Sequence, residues 1–472
     1  MDISNFCVNN AAILAGSNYL RDKNRGDAIG GDVPLMIGTA DKAIEAVAIR
    51  KVTWRIVPFL MMCFFFSLLD RVNIGFAALQ MNKDLHLSPA VFGLAASMFF
   101  VSYFLLEVPS NLAMQKVGAR RWLSRILVSW GMASACTAFA VGPYSLCAMR
   151  FLLGAAEAGF FPGALLYLTY WFPSEYRARI VGVFAVSIPL ASFLGSPISA
   201  SLLGMGGLFG LKGWQWLFLC EAVPTVLLGF ACLAVLTDRP AGAKWLTPEE
   251  RDWLTRRLEA EATKARPVGH IPLWQLLRNK YVLVLTLVGA GASAAGTTLS
   301  IWQPQILKSF GLTTMRTGLL NSIPYGLASI IMILWGRHSD YTQERRWHTA
   351  APLALIALGL VSTFLTRSIV PTIFILSLAL IGAYSFKGPF WALASGWLSS
   401  STTAAGLAGI NATANLVGGG MISLVGLIKG ATGSYSIALL PLVALNAAGS
   451  ISLLLLSRSY LRKAAVAPST VR

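Results

Sequence analysis

The most constraining feature of this sequence is a series of apolar runs, each long enough to cross a lipid bilayer as a helix. The run from Phe59 to Leu79 is the clearest, since only Asp70 and Arg71 interrupt it with charge. A helix needs about 20 apolar residues to span the hydrocarbon core, because each residue advances it by about 1.5 Å. The sequence therefore predicts an all-α polytopic membrane protein.

Twelve such spans are predicted along the chain. The composition supports this number, because 56% of the residues are hydrophobic and 12% are charged, whereas about 25% of the residues in soluble domains are charged. The predicted spans cover residues 55–79, 89–113, 121–141, 144–170, 179–206, 214–237, 279–308, 313–336, 348–367, 371–398, 404–428 and 434–458.

A charged linker after the sixth span divides the twelve spans into two groups of six. In this linker, Thr247, Pro248 and Glu250 have the spacing of a capping box, which predicts the start of a surface helix. Transporters are commonly built from two such bundles around a midplane site. We therefore predict two six-helix bundles, at 54–237 and 279–460, joined by a cytoplasmic linker with a short helix at 238–278. A cytoplasmic N-terminal tail at 1–53 and a cytoplasmic C-terminal tail at 461–472 flank them. Within the N-terminal tail, segment 42–51 is predicted to form a short amphipathic helix on the membrane surface.

Basic residues are concentrated on one side of the predicted membrane. The net charge is +18, and most of the 38 Lys and Arg residues fall in alternate loops. The positive-inside rule assigns these loops to the cytoplasm, so both termini are predicted to lie inside the inner (plasma) membrane of the cell. This pattern argues against nucleic acid as a partner. It leaves six basic residues on the predicted outer side, Lys83, Lys212, Lys308, Arg316, Arg367 and Lys429.

Charged side chains within the spans predict a polar cavity. They include Asp70, Arg71, Arg150, Glu157 and Lys387. A charge at hydrocarbon depth is costly unless it faces a partner or water, so these residues indicate an ion pathway. Because Arg150 and Glu157 are seven residues apart, they occupy one helix face, about two turns from each other.

The three cations of this set predict an anion site. Arg71 offers a planar fork of hydrogen-bond donors that suits a substrate carboxylate. The alternative role of Arg71 is a static ion pair with Asp70. Arg150 lies near the outer end of its span and could bind an anion or act as a structural clamp. Lys387 lies near the middle of its span, too far from either end to reach the surface. Together they favour small organic anions, including dicarboxylates.

Asp70 and Glu157 are candidate proton carriers. The proton affinity of a carboxyl group depends on its burial and on nearby charge, so both groups should respond to conformation and to ligand. We expect a proton and the substrate anion to bind together. The alternative for each of these two carboxylates is a permanent salt bridge, in which it would carry no proton. Glu107 and Glu221, each followed closely by a proline, are expected to be structural carboxylates.

Aromatic residues could line the cavity for a ring-bearing substrate. Most aromatic residues in membrane spans face lipid or the interface. The candidates for the cavity are Trp302, Trp391, Trp397, Phe390, Tyr325 and Tyr384. The six cysteines and four histidines show no metal-ligand spacing, so no metal site and no cofactor are expected.

Several motifs resemble one family of transporters. They are Asp70-Arg-Val-Asn-Ile-Gly75, Phe104-Leu-Leu-Glu-Val-Pro-Ser-Asn-Leu112, Arg150-Phe-Leu-Leu-Gly-Ala-Ala-Glu-Ala-Gly-Phe-Phe-Pro-Gly163 and Gly388-Pro-Phe-Trp-Ala-Leu393. The chain resembles the anion:cation symporter branch of the major facilitator superfamily, within it the bacterial permeases for phthalate, tartrate and hydroxyphenylacetate. This resemblance covers about residues 50–460 and implies the major facilitator fold, proton-coupled import of organic anions by alternating access, and a monomer.

The resemblance also implies roles for individual residues. Ser192 stands where carriers of sugar acids often have Gln, which disfavours sugar acids, whereas Asn411 and Asn415 retain the family pattern of the eleventh span and are expected to bind substrate. The four matching charged residues serve coupling and anion binding, namely Asp70, Arg71, Arg150 and Glu157.

The expected function is that of a secondary active transporter and not of an enzyme. A proton-coupled symporter would import small organic anions, with aromatic or dicarboxylic acids favoured. One alternative is a proton-coupled antiporter that exports drugs or metabolites, although residues 191–200 match the antiporter motif only in part. A second alternative is a non-transporting ligand receptor.

Overall fold

The computed structural model describes the backbone of residues 33–264, 279–397 and 403–466. Contacts divide the chain into a unit over residues 1–47 and a unit over residues 48–472. The described residues of the first unit are helical, and the second unit contains every predicted span.

Helices α1 to α7 precede the linker. Proline and polar caps start several of them; Ser88, for example, accepts the backbone N–H of Val91 at the start of α2. Helix α3 packs against α7, and α2 packs against α4. The bounds are α1 Val33–Asp84, α2 Pro89–Val117, α3 Ala119–Thr137, α4 Pro143–Glu157, α5 Phe160–Thr169, α6 Ser174–Leu203 and α7 Gly213–Val235.

The linker contains α8, Pro248–Lys264, which starts at the predicted capping box. Glu250 donates its backbone N–H to Thr247 Oγ1 at 3.3 Å, and Thr247 donates its own to Glu250 Oε2 at 3.0 Å. Lys51 of α1 forms an ion pair with Glu250 at 2.7 Å. A helix therefore starts at the predicted capping box, and its first turn is attached to α1.

Helices α9 to α16 follow the linker. Helix α9 packs against α14 and α16, and α11 packs against α12 and α16. The bounds are α9 Lys280–Lys308, α10 Thr314–Thr342, α11 Arg346–Val361, α12 Ile369–Ser385, α13 Lys387–Trp397, α14 Thr403–Thr432, α15 Tyr435–Ala438 and α16 Leu440–Val466.

Eleven spans among the described residues are long and apolar enough to cross a membrane. Three of them consist of two consecutive α-helices, α4 with α5, α12 with α13 and α15 with α16, and a fourth joins α11 to the 3-10 helix Ser362–Leu365. The third predicted span corresponds to α3, whose mean hydropathy is reduced by Arg120, Arg121 and Arg125 in its first two turns. Helix α3 packs among its neighbours like the other spans and brings the number to twelve.

Two predicted boundaries differ from the structure. The short surface helix expected at 42–51 is part of the continuous helix α1, because no helix-breaking residue separates this segment from the first span. The fourth span, predicted over 144–170, is interrupted after Glu157. Gly159 there has φ of 86°, a left-handed conformation that glycine adopts without steric cost.

Close helix packing joins the two groups of six at one end of the spans. A Cβ atom added to Gly75 would lie 2.7 Å from the backbone oxygen of Ile301, and one added to Gly93 would lie 2.9 Å from that of Ile422. Asn321 of α10 donates to Ser196 Oγ of α6 at 2.8 Å. These contacts lie at the end of the spans that the charge distribution predicts to be the outer one.

Candidate functional site

The first element of the site is a buried ion pair between α1 and α4. Arg71 Nε donates to Glu157 Oε1 at 2.6 Å, and Arg71 Nη2 lies 2.6 Å from the same oxygen. Ser67 Oγ also donates to this oxygen, at 2.8 Å. The side chain of Glu157 is fully buried, whereas that of Arg71 is 22% exposed. The partner of Arg71 is therefore Glu157, and the expected alternative of a static pair with Asp70 is wrong.

Glu157 keeps unused hydrogen-bonding capacity. Its Oε2 atom is buried and accepts no hydrogen bond in the structure. All described donors to this carboxylate converge on Oε1. A carboxylate satisfied on one oxygen can accept a proton on the other while it keeps its existing donors.

Arg150 is buried next to this pair. Its side chain is fully shielded from solvent, and none of its three guanidinium nitrogens has a hydrogen-bond partner. Its Cζ lies 5.1 Å from the ring centroid of Phe99, and the Cζ of Arg71 lies 5.3 Å from the same ring. Attraction from Asp70 and Glu157 partly offsets the cost of burying this charge. Phe99 thus lies against two guanidinium groups.

Asp70 points into a different set of helices. Its side chain is 1% exposed, and its Oδ1 accepts from Ser134 Oγ of α3 at 2.8 Å and from Asn73 Nδ2 at 3.1 Å. Thr225 Oγ1 of α7 lies 3.5 Å from Oδ2. The adjacent residues Asp70 and Arg71 therefore belong to two neighbouring polar clusters, because side chains one residue apart on a helix point in different directions.

The second group of helices contributes Lys387. This residue begins α13, and its Nζ lies 5.0 Å from the ring centroid of Tyr384. It is close enough to Arg71 for the two positive charges to repel. Ser192 of α6 is buried beside the Tyr384 hydroxyl. The structure therefore brings Lys387 and Ser192 to the same region as Arg71.

The remaining predicted site residues lie in different environments. Trp391 is half-buried, with its ring against Phe390 at 4.9 Å between centroids. Asn411 and Asn415, one turn apart on α14, are also half-buried. Trp302 is fully buried, and its Nε1 donates to the backbone oxygen of Ile422 at 3.2 Å. In this conformation Trp302 packs α9 against α14 and is not open to a ligand.

Sequence reasoning missed the α2 side of the site. Tyr103 lies against Arg71, whose Cζ is 4.9 Å from the Tyr103 ring centroid. Glu107, expected to be structural, is half-buried and attracted to Arg71. Phe99, Tyr103 and Glu107 recur every four residues, so their helical spacing could have identified this face.

The arrangement can bind an anion. The fully buried Arg150 guanidinium has no hydrogen-bond partner, and the partly exposed Arg71 guanidinium lies close to Lys387 from the second half of the chain. Guanidinium groups favour carboxylates, since each can form two parallel hydrogen bonds. In the described ranges, no three His, Cys, Asp or Glu side chains are grouped as they would be around a metal ion.

Comparison with known proteins agrees with this description. A family model described as Major Facilitator Superfamily matches residues 60–426. An Agrobacterium vitis protein named "Putative tartrate transporter" is 47% identical over 416 residues, which cover 88% of this chain and 96% of that protein. An Acinetobacter baumannii protein named "Quinolone resistance transporter" is 37% identical over 398 residues, which cover 83% of this chain and 91% of that protein.

The fold is also similar to that of solved transporters. The crystal structure of a bacterial homolog of the human lysosomal transporter Spinster, in an inward-facing and occupied conformation, matches with a TM-score of 0.68 and 16% identity. The match covers 86% of this chain and 97% of that one. The all-α fold with twelve membrane helices in two bundles of six is thereby confirmed. Given the family match over residues 60–426, the relative at 47% identity and this fold, the chain belongs to the Major Facilitator Superfamily, whose members are membrane transporters and not enzymes.

Proposed function

We propose that this transporter is a proton-coupled symporter that imports small organic anions by alternating access. The observation that carries the proposal is the fully buried Arg150 guanidinium, which has no hydrogen-bond partner and lies on the same Phe99 ring as Arg71. A buried cation without a partner is costly unless another charge compensates it. A substrate carboxylate would supply that charge.

The proposed substrate class is carboxylic acids, with dicarboxylates first. Arg71 and Arg150 would grip one carboxylate, and Lys387 would attract the second from the other half of the chain. The name of the Agrobacterium vitis relative, which refers to a dicarboxylate, supports this class. Ser192, Asn411 and Asn415 would supply polar contacts.

Aromatic acids are the second proposed class. The half-buried Trp391 would lie against a substrate ring. Trp302 would reach the substrate only in a conformation that separates α9 from α14. Both classes share the requirement for a carboxylate at Arg71.

Proton coupling is proposed to act through Glu157 and Asp70. An incoming carboxylate competes with Glu157 for the Arg71 guanidinium. Once displaced, Glu157 would be a buried carboxylate that has lost its ion pair with Arg71, and protonation removes the cost of that charge. Anion binding and proton uptake thereby favour each other.

Alternating access is proposed to move the bundles at 54–237 and 279–460 relative to each other. The glycine contacts between Gly75 and Ile301 and between Gly93 and Ile422 would close the outer end, so this conformation would open to the cytoplasm. We also propose location in the inner membrane, both termini in the cytoplasm and function as a monomer.

Substrate binding can be tested by thermal stability of the purified protein. A ligand at about 100 times its Kd stabilises the folded state by about 2.7 kcal/mol. We expect tartrate and phthalate to raise the melting temperature and the cationic drug ethidium to leave it unchanged. Stabilisation by sugar monocarboxylates alone, with no effect of tartrate or phthalate, would contradict the proposed substrate class.

Transport itself can be tested in proteoliposomes with radiolabelled tartrate. An inward proton gradient should drive accumulation, and collapsing the gradient with a protonophore should abolish it. Saturable binding without flux would instead indicate a receptor.

A drug antiporter is the second candidate, because one relative is named for quinolone resistance. Quinolones carry a carboxylate, so the cationic site does not exclude them. The antiporter predicts that an inward proton gradient expels a quinolone from the vesicle, whereas the symporter predicts that the gradient concentrates tartrate inside.

A further inference from the structure

Two histidines join the end of α10 to the start of α11, at the end of the spans that the charge distribution predicts to be cytoplasmic. His338 Nδ1 lies 2.7 Å from His348 Nε2. His348 is buried, whereas His338 is exposed. Trp335 Nε1 donates to the backbone oxygen of His348 at 2.9 Å, and the two rings lie 4.9 Å apart between centroids. The anion site and the proposed symport use neither histidine.

Glu344 contacts the other ring nitrogen of His348. Its Oε2 lies 2.8 Å from His348 Nδ1. The same carboxylate accepts the backbone N–H of Trp347 at 2.8 Å and that of His348 at 3.1 Å, in the first turn of α11. Burial raises the pKa of the Glu344 carboxyl group, but these backbone and ring hydrogen bonds lower it more. Glu344 is therefore an ionised group that can only accept hydrogen bonds.

The ionised carboxylate determines which nitrogen of His348 carries hydrogen. Because Glu344 can only accept, the hydrogen between the two groups must belong to His348 Nδ1. His348 Nε2 then either accepts a hydrogen from His338 Nδ1 or, in the cationic ring, donates one to it. In both cases one hydrogen lies between the facing nitrogens. The observed contact is therefore compatible with zero or one added proton on the two rings, and not with two.

Other charged side chains of this turn have partners of their own or point to solvent. Arg345 Nη1 lies 2.7 Å from Asp340 Oδ1. Arg346 donates to a backbone oxygen of α16 at 3.2 Å. Arg337 is exposed. None of these contacts involves an imidazole nitrogen, so the turn itself offers the rings Glu344.

The helices packed against α10 and α11 add no second acidic group at the rings among the described residues. Helix α12 contains no charged residue, and the described side chains of α16, residues 440–456, are uncharged. On α6, Glu175 forms an ion pair with Arg257 of the linker helix at 3.3 Å. The other charged residues of α6, α9 and α13 are all basic, namely Arg177, Arg179, Lys280, Lys308 and Lys387.

We propose that His338, His348 and Glu344 form a proton sensor that fastens the end of α10 to the start of α11. While the rings carry at most one added proton, one hydrogen joins their facing nitrogens. A second proton would place N–H groups on both nitrogens, and the rings would separate. Histidine changes charge between about pH 5 and 8, and the exposed His338 gives solvent protons access. Acidification therefore loosens the turn between α10 and α11.

The sensor goes beyond the proposed symport and does not depend on it. It lies at the end of the spans to which an importer would release its protons, so it would respond to the acidification that import causes. Its state can be measured in substrate-free protein. Failure of the sensor is therefore distinguishable from failure of symport.

Nitrogen NMR of purified protein with labelled histidine rings tests the shared hydrogen. The chain has four histidines, so His86→Asn with His270→Gln leaves the pair as the labelled rings. We expect a scalar coupling between His338 Nδ1 and His348 Nε2 at about pH 8 and its loss at about pH 4.5, below the range in which histidine changes charge. His348 Nδ1 should carry hydrogen at both pH values. A coupling that is missing at the higher pH or persists at the lower one, or a bare His348 Nδ1, would overturn the proposal.

Hydrogen exchange of the peptide over residues 335–350 tests whether the turn loosens. After correction for the intrinsic effect of pH, exchange in the wild type should be roughly 2- to 12-fold faster at the lower pH, the effect of one lost hydrogen bond. His338→Ala should exchange fast at both pH values. His86→Asn, an exposed histidine at the other end of the spans, is the matched control and should keep the wild-type response.

Equal corrected rates in the wild type at the two pH values would overturn the sensor, as would a wild-type response in His338→Ala. Because His338 is exposed, its replacement should leave the fold intact, and retained monodispersity checks this.

Discussion

Arg71 is the residue at which the anion and proton sites meet. Its Nε donates to Glu157 Oε1, its Nη2 lies 2.6 Å from the same oxygen, and its guanidinium contacts the rings of Phe99 and Tyr103. It remains 22% exposed, so a ligand can reach it. A planar donor group that already holds one carboxylate is well placed to exchange it for another. Exchange of that partner is the chemical event on which the proposed coupling depends.

Arg71→Lys should weaken carboxylate binding while preserving the charge. Lysine lacks the planar fork, so one charge-assisted hydrogen bond is lost, about 1.5–3 kcal/mol. The apparent Kd for tartrate should rise by roughly 10- to 150-fold. Thermal-shift titration measures this change. Arg316→Lys, at an exposed position on the predicted outer side, is the control and should leave the Kd unchanged. Equal Kd values for the wild type and Arg71→Lys would contradict carboxylate binding by Arg71.

Glu157→Gln should uncouple transport without abolishing exchange. The amide retains a hydrogen-bond acceptor for Ser67 and has the charge of a protonated glutamate. Tartrate counterflow in proteoliposomes should persist, whereas accumulation driven by a proton gradient should fall to the level seen without a gradient. Loss of counterflow as well would show that Glu157 does more than carry a proton. Glu259→Gln, at an exposed position of the linker helix α8, is the comparison variant and should leave both activities unchanged.

At the scale of single elements, two helix interruptions position charged residues of the site. Glu157 is the last residue of α4, and Lys387 is the first residue of α13. The first interruption depends on Gly159 and the second lies next to Pro389, which has no N–H to donate to the preceding turn. Interrupted helices near the midplane commonly form binding sites in transporters, because they leave backbone groups free there.

Gly159→Ala should disturb the first interruption. Alanine in the left-handed conformation costs about 1 kcal/mol, and the new Cβ would lie 2.5 Å from Ser110 Oγ. We expect a lower melting temperature together with slower tartrate uptake, because Glu157 would move relative to Arg71. Gly182→Ala on α6 provides the control, since a Cβ there would meet nothing within 4 Å. Identical behaviour of the two variants would refute a role for the interruption.

At the scale of the whole molecule, the described contacts between the halves are concentrated at the predicted outer end. Backbones approach closely there because glycines leave room, as at Gly318, where an added Cβ would lie 2.8 Å from the backbone oxygen of Ser196. In the linker, Glu261 of α8 forms an ion pair with Arg177 of α6 at 3.2 Å. The linker helix is therefore attached to the first bundle, and we expect it to move with that bundle.

Gly318→Ala should shift the population towards the outward-open conformation. Overpacking costs about 1–3 kcal/mol, which corresponds to roughly a 5- to 150-fold change in the ratio of the two states. Spin labels at the exposed outer positions Lys83 and Met315, in a cysteine-free background, should report longer distances. Gly420→Ala, where a Cβ would meet nothing within 4 Å, should keep the wild-type distances. A distance distribution in Gly318→Ala that matches this control would contradict outer closure by glycine packing.

Hydropathy and charge in the sequence were sufficient to predict the helical class, the twelve spans and the capping box of the linker. These features depend on local composition and on spacing along one helix, which any folded arrangement must respect. Asp70, Arg71, Arg150, Glu157 and Lys387 could also be identified from the sequence, because charge within an apolar run is costly wherever the run packs.

Only the tertiary structure decided how these charges are partnered. The sequence left a static pair between Asp70 and Arg71 open as an alternative, but helix geometry points the two side chains into different clusters, with Glu157 beside Arg71 and Ser134 beside Asp70. The interruption at Gly159 and the burial of Trp302 likewise depend on contacts with distant segments. Partner choice is set by the packing of helices remote in sequence, and no local pattern encodes it.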